Sequence, residues 1–192
     1  MAPELTWPDS PTSPPADAVL PGRHPNAIPV GEQVPSHYDM CYGCGRGHPA
    51  GLHMTVTAGE LSVHATFDVT QDHQGAPGLA HGGLLSTAFD EALGALNWLL
   101  LAPAVTARLE TDVRRPVRVG AVLHLHTWLV GQSGRKVYTR AVGRLGADGP
   151  VALTASALFL QVPLAHFVAN GRAEDVARAA HQRTGEGLEV NP

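Results

Sequence analysis

Between Leu84 and Ala102 the chain carries an almost unbroken apolar run whose only ionisable groups are two adjacent carboxylates, Asp90 and Glu91. The run is just long enough to cross a bilayer, but each central charge costs roughly 2.5–3.5 kcal/mol on insertion scales. It therefore reads as one helix over Leu84–Leu101, apolar almost all round, which the rest of the protein must wrap. A buried carboxylate without partners costs several kcal/mol. One of the two acids thus reaches a polar edge or sits where its charge is used.

The flanking segments have the periodicity of strands. Leu52–Ala58 and Leu61–Val69 alternate apolar and polar residues around Gly59-Glu60, the pattern of a hairpin. Thr70–Ala80, with Gly75, Pro77 and Gly78, reads as a loop. After Pro103 the period becomes two in Val105–Arg115, Val122–Val130, Lys136–Leu145 and Val151–Val162, with turn signals at Gly131–Gly134 and Gly146–Gly149. Short turns make consecutive strands antiparallel neighbours. Two strands, a helix and four strands give an α+β arrangement, an antiparallel sheet of about six strands wrapped around one long central helix. The helix covers one sheet face and leaves the other free.

Both ends differ from this body. Nine of the sixteen prolines fall within the first 36 residues, so 1–38 is expected to be an extended or disordered tail, with Trp7 a solvated aromatic. The domain is placed at 39–165. A C-terminal stretch, 166–192, holds a short helix over Ala173–Arg183 and a fraying end over Thr184–Pro192. The formal charge of −4 lacks the electrostatic draw of a nucleic-acid binder. Cys41 and Cys44 are too few and too close for a secreted disulfide framework, and no signal peptide is visible. A cytoplasmic protein without nucleic-acid or membrane partners is expected.

The junction Gly75-Ala76-Pro77-Gly78-Leu79-Ala80-His81-Gly82-Gly83 carries the most chemical information. A helix opening there offers unpaired N–H groups and a positive end to an anion or to a carbonyl oxygen gaining charge. The plainer reading is a tight turn at Gly82-Gly83. Gly82 and Asp90 are eight residues apart, hence ~12 Å along a helix axis, too far for one copy to bring both to one carbonyl. Two antiparallel copies about a two-fold axis can do so, which calls for a dimer.

His81-Gly82-Gly83 with Asp90 nine residues after the histidine resembles the hotdog-fold thioesterases of the 4-hydroxybenzoyl-CoA thioesterase superfamily, in the phenylacetate-pathway (PaaI-like) branch. Cys41-Tyr42-Gly43-Cys44-Gly45 followed by Pro49-Ala50-Gly51-Leu52, and Arg114-Arg115-Pro116 followed by Gly120, resemble the same branch. The likeness spans about 40–163. It implies a hotdog fold and hydrolysis of an acyl-CoA at a dimer interface, in a dimer or a tetramer, without a cofactor. Asp90 would activate water or attack the thioester, Gly82 N–H would hold the thioester oxygen, and His81 would shape the loop and touch substrate. Gly83, Gln74 and Thr111 would join in substrate binding. Gly75 stands where some members of the branch carry asparagine, a role that Gln74 or His73 would have to fill. Glu91 is the reserve acid.

Arg114, Arg115 and Arg118 suit the phosphates of CoA, since guanidinium forks grip phosphate bidentately; the plainer reading is an arginine-rich outer face. Cys41-x2-Cys44-x3-His48-x4-His53 has zinc-type ligands, but its spacing misses the usual knuckle by one residue, and no metal is expected. His64, His124 and His126 read as polar sheet positions, and Trp98 and Trp128 as packing residues. Phe89, Leu93 and Trp98 are the expected determinants of acyl-pocket depth. Two other classes stay open: an acyl-CoA-binding sensor or carrier without hydrolysis, and a hotdog enoyl-CoA hydratase or dehydratase.

Overall fold

The computed structural model describes residue 7 and residues 9–182; Pro3, Pro8, Arg183 and the fraying end expected over 184–192 lie outside them. The chain builds β1 (Thr55–Ala58), β2 (Ser62–Asp68), β3 (Gln74–Ala76), β4 (Leu79–Ala80), α1 (Gly82–Gly94), α2 (Asn97–Leu100), β5 (Ala104–Val113), β6 (Val122–Ser133), β7 (Lys136–Leu145), β8 (Val151–Gln161), α3 (Leu164–Asn170) and α4 (Ala173–Gln182). Six strands form one antiparallel sheet in the order β1-β2-β6-β7-β8-β5. It curls around α1 in the hotdog arrangement.

The core follows from the patterning. Leu85, Ala88, Phe89, Ala92 and Leu93 are buried in α1 at the spacing of one helix face. They meet Val63, Phe67, Leu123, Leu125, Leu153 and Phe159 from the strands. Phe89 presses so closely on β7 that a Cβ at Gly143 would lie 2.8 Å from its ring. The helix is not apolar all round: Ser86, Thr87, Asp90, Glu91 and Gly94 are only half-buried on the remaining surface.

The single helix expected over Leu84–Leu101 is two. The chain turns at Ala95-Leu96, and the Asn97 Nδ2 donates to the Gly94 carbonyl at 3.0 Å, replacing a helical backbone bond. Asn97 side chains compete with the backbone in this way, a preference that an apolar count ignores. The expected loop Thr70–Ala80 also folds further, into the two-stranded β3–β4 ribbon. Strand β6 runs on to Ser133 through residues expected as a turn, because a bulge between Leu129 and Gly131 preserves pairing with β7. Helix α3 has no counterpart in the sequence reading.

The proline-rich segment is laid along the domain. Gly31, Glu32 and Val34 exchange backbone hydrogen bonds with Ala58 and Val56, which covers the outer edge of β1. Val19 pairs with Gln132. Buried Thr12 shares a hydrogen bond with Ser156 at 2.7 Å and donates to Glu110 at 3.1 Å. Trp7 is docked rather than solvated, edge-on to Trp128 with centroids 6.1 Å apart and 4.9 Å from the Arg140 guanidinium. The opposite sheet edge, along β5, has no strand partner among the described residues.

Candidate functional site

The site grows from the two ends of α1. At its start the β3–β4 ribbon lies against His81: a Cβ at Gly75 would stand 2.7 Å from the His81 Cα. There is no room for the asparagine that some hotdog proteins carry there. His73 accepts the His81 N–H at its carbonyl, 2.8 Å, while its buried ring caps the turn before it. The Gln74 Oε1 accepts the Gly78 N–H at 2.7 Å and so closes the ribbon's own turn.

His81 is the N-cap of α1, its Nδ1 accepting the Gly83 N–H at 3.0 Å. That bond leaves Nε2 as the protonated nitrogen of the neutral ring. The Gly83 N–H is thereby used, whereas the exposed Gly82 N–H has no acceptor among the described residues. A Cβ built at Gly82 meets nothing within 4 Å, and its φ is not positive. Nothing among the described residues demands glycine at that position.

Two turns along, Thr106 Oγ1 donates to Asp90 Oδ1 at 2.9 Å. Burial raises the Asp90 carboxyl above its ordinary range, and the Thr106 hydroxyl opposes that rise. Thr106 escaped the sequence reading, and the reason lies in β5. Its pairing with β8 slips between Thr106 and Arg108, so Ala107 is a bulged extra residue. The slip puts Thr106 and Thr111, five apart in sequence, on the same face. Thr111 Oγ1 meets Ser86 Oγ at 3.1 Å, and Ser86 donates to the Gly82 carbonyl at 3.1 Å. One strand therefore holds both ends of α1 through threonine hydroxyls.

Glu91 meets other partners than Asp90 does. Its Oε2 lies 3.4 Å from Cys41 Sγ. His37, Cys41, Cys44 and Glu91 bring their ligand-type atoms within 4.8 Å of one another. Burial and then the neighbouring Cys41 lift the Glu91 carboxyl to about 7. The two thiols are tied together: the hydrogen bond from Cys44 lowers Cys41, and the same contact raises Cys44. His48 and His53, weighed with the cysteines on spacing, point elsewhere. The His48 ring stacks edge-on with Tyr42 and accepts the Ala50 N–H, and His53 bonds the Gly45 carbonyl at 3.0 Å.

A cavity of about 130 Å³ opens beside Asp90, lined by Thr106, Gly94, Trp98, Ala104 and Phe159 and, on the side of the cysteine cluster, by His37 and Glu91. Of the expected depth determinants, Trp98 reaches it, while Phe89 and Leu93 are fully buried in the core. The arginines do not act as one group. Arg115 and Arg118 line a cleft of about 410 Å³ with Pro116, Leu145 and Pro150. Arg114 instead sends its Nε to Thr154 Oγ1 at 3.3 Å. Leu79 bridges to Arg118, so the cleft adjoins the ribbon that leads into α1. Among the described residues no helix is long and apolar enough to cross a membrane.

Known proteins resemble this chain in sequence and in fold. The family model of the Thioesterase superfamily matches residues 77–152, the stretch from the ribbon to the start of β8. The curated acyl-coenzyme A thioesterase THEM4 of Xenopus laevis is 33% identical over 89 residues, 46% of this chain and 40% of the relative. Its Bos taurus counterpart is 32% identical over 89 residues, 46% of this chain and 36% of the relative. The match thus spans less than half the length of these relatives. A crystal structure of a thioesterase superfamily protein superposes with a TM-score of 0.60 at 27% identity, covering 71% of this chain and 70% of that one. The E. coli PaaI protein from the phenylacetic acid degradation operon shares the fold at a TM-score of 0.55 and 17% identity, over 58% of this chain and 81% of its own. The matched profile runs from the turn of the ribbon through α1 and β5 to the start of β8, so it is this central stretch of the chain that is similar to the Thioesterase superfamily.

Proposed function

We propose that the protein hydrolyses acyl-CoA thioesters at a site shared by two copies, Asp90 of each facing Gly82 of the other. The observation that carries this reading is the layout of α1: an N–H without an acceptor at one end and a tethered carboxylate eight residues on. These groups are ~12 Å apart along the axis, while a base must come within roughly 3 Å of the atom it serves. An antiparallel second α1 brings opposite ends together. Support for that pairing comes from β5, ten residues long with its outer edge unpaired among the described residues. Such an edge is a liability unless something covers it. Two β5 strands joined about a two-fold axis continue the sheet and set the helices side by side in opposite directions.

In this dimer Asp90 takes a proton from water while the water oxygen attacks the thioester carbon. The carbonyl oxygen gathers negative charge against the Gly82 N–H and the positive end of α1. Collapse of the tetrahedral adduct breaks the C–S bond, and CoA departs as a thiolate that regains a proton. The acyl group enters the cavity beside Asp90, whose volume holds about four water-sized groups. Arg115 and Arg118 receive CoA phosphates in their cleft, by the bidentate geometry of guanidinium.

Thiol release from a panel of acyl-CoA esters tests the activity, and mixed dimers test the shared site. Asp90→Asn and Gly82→Val alone should each lose on the order of 10²-fold or more. Co-expressed, they should recover about a quarter of wild-type activity, because half the dimers are mixed and each mixed dimer has one intact site. Tight acyl-CoA binding without thiol release would sink the hydrolase, and absence of recovery in mixtures would sink the shared site.

A further inference from the structure

We propose that His37, Cys41, Cys44 and Glu91 form a tetrahedral Zn²⁺ site that staples the segment before β1 to α1. The four side chains come from three places in the chain: the end of the proline-rich segment, the Cys41–Cys44 turn, and the helix. Their ligand-type atoms lie within 4.8 Å of one another. Zinc bonds of 2.0–2.3 Å to nitrogen, oxygen and sulfur place tetrahedral ligands ~3.3–3.8 Å apart. Cys41 Sγ to Glu91 Oε2 is 3.4 Å and Cys44 Sγ to His37 Nδ1 is 3.6 Å, both already at that edge length.

The surrounding backbone is shaped to this cluster. A Cβ at Gly43, between the two cysteines, would stand 2.2 Å from Glu91 Oε2, so the turn lies directly against the carboxylate. A Cβ at Gly45 would stand 2.2 Å from the Asp39 carbonyl oxygen, which keeps the loop tight behind the thiols. Glu91 also stands apart from ordinary helix acids: it turns towards thiols on a helix whose described last turn has no basic residue. Two sulfurs, one imidazole and one carboxylate are a donor set that suits zinc in tetrahedral geometry. With four protein ligands the ion has no open position for water, so its role is structural. It fixes the rotation of α1 one residue beyond Asp90, and with it the direction of that carboxylate. On loading, Zn²⁺ displaces the protons of the two thiols and of any protonated Glu91 to solvent.

The full chain, purified reduced from zinc-supplemented medium, should hold ~1 zinc per chain by elemental analysis. Exchange with Co²⁺ should give the visible bands of a tetrahedral ion and a thiolate-to-cobalt charge-transfer band of two-sulfur intensity. Cys41→Ser and Glu91→Gln should each lower zinc occupancy at least about tenfold after brief chelator treatment. His48→Ala, His53→Ala and Asp90→Asn should keep it, which separates this site from the spacing-based alternative and from hydrolysis. If the cysteine variants fail to fold, the Glu91→Gln occupancy and the cobalt spectrum of the wild-type chain decide. Reduced wild-type protein that takes up neither zinc nor cobalt overturns the proposal, as does a Cys41→Ser, Cys44→Ser chain that keeps its zinc.

Discussion

In the proposed reaction, Thr106 sets how Asp90 behaves as a base. Its hydroxyl stabilises the carboxylate against a burial that favours the neutral acid. The proposed hydrolysis needs Asp90 ionised, so activity should fall as pH drops through its pKa. Thr106→Val removes the donor, which raises that pKa further. The acid limb of the kcat/KM profile should therefore move to higher pH in this variant, with the plateau at high pH changed less. A limb that stays put would assign the titration to another group. At this scale the sequence was legible in part. Two charges on an apolar run announce a costly placement, but adjacent helix residues differ by ~100° in direction, and only the fold tells which meets a threonine and which meets thiols. The cysteines were visible as possible ligands, whereas the histidine beside them came from the opposite direction along the chain, where spacing rules do not look.

At the scale of elements, the order of strands and helix was legible because hydrophobic periods of two and 3.6 are imposed by burial itself. The departures arise where one residue overrides a period. Asn97 breaks a helix that its neighbours favour, and the Ala107 bulge inverts the facing of everything after it on β5. A bulge leaves no compositional trace, so Thr111 could be suspected from its place on the strand after the helix, while the facing of Thr106 could not be read. The β3–β4 ribbon makes its own demand at Gly75. Gly75→Ala should drive a methyl into the His81 backbone and cost about 1–3 kcal/mol, as overpacking does. Chemical denaturation should read this loss, and activity should fall with it because the start of α1 shifts. An alanine variant of undiminished stability would mean that the ribbon yields freely.

For the whole molecule, among the described residues, one sheet edge is dressed and the other is bare. Residues 31–34 occupy the β1 side, while β5 is left open. From a chain of 20.1 kDa, light scattering should return at least twice that mass at micromolar concentration. Specific activity should fall on dilution in step with the mass, since a site divided between copies disappears when they part. A monomer of full activity would refute the dimer. The proposal of a partner rests on the ~12 Å separation of Gly82 and Asp90, which the sequence alone already gives. The edge that would meet it was not legible there, because strand order is a property of long-range pairing.

The strap formed by Trp7 and residues 9–19 adds a constraint on growth beyond two copies. It lies over the part of the outer sheet formed by Trp128, Arg140 and Ser156, anchored by Thr12 and Trp7. That ground is taken before any second pair of subunits arrives. Stacking sheet upon sheet would first require peeling off a belt whose anchoring threonine is sealed from solvent, so higher assembly through this face carries an entry cost that edge-to-edge joining avoids.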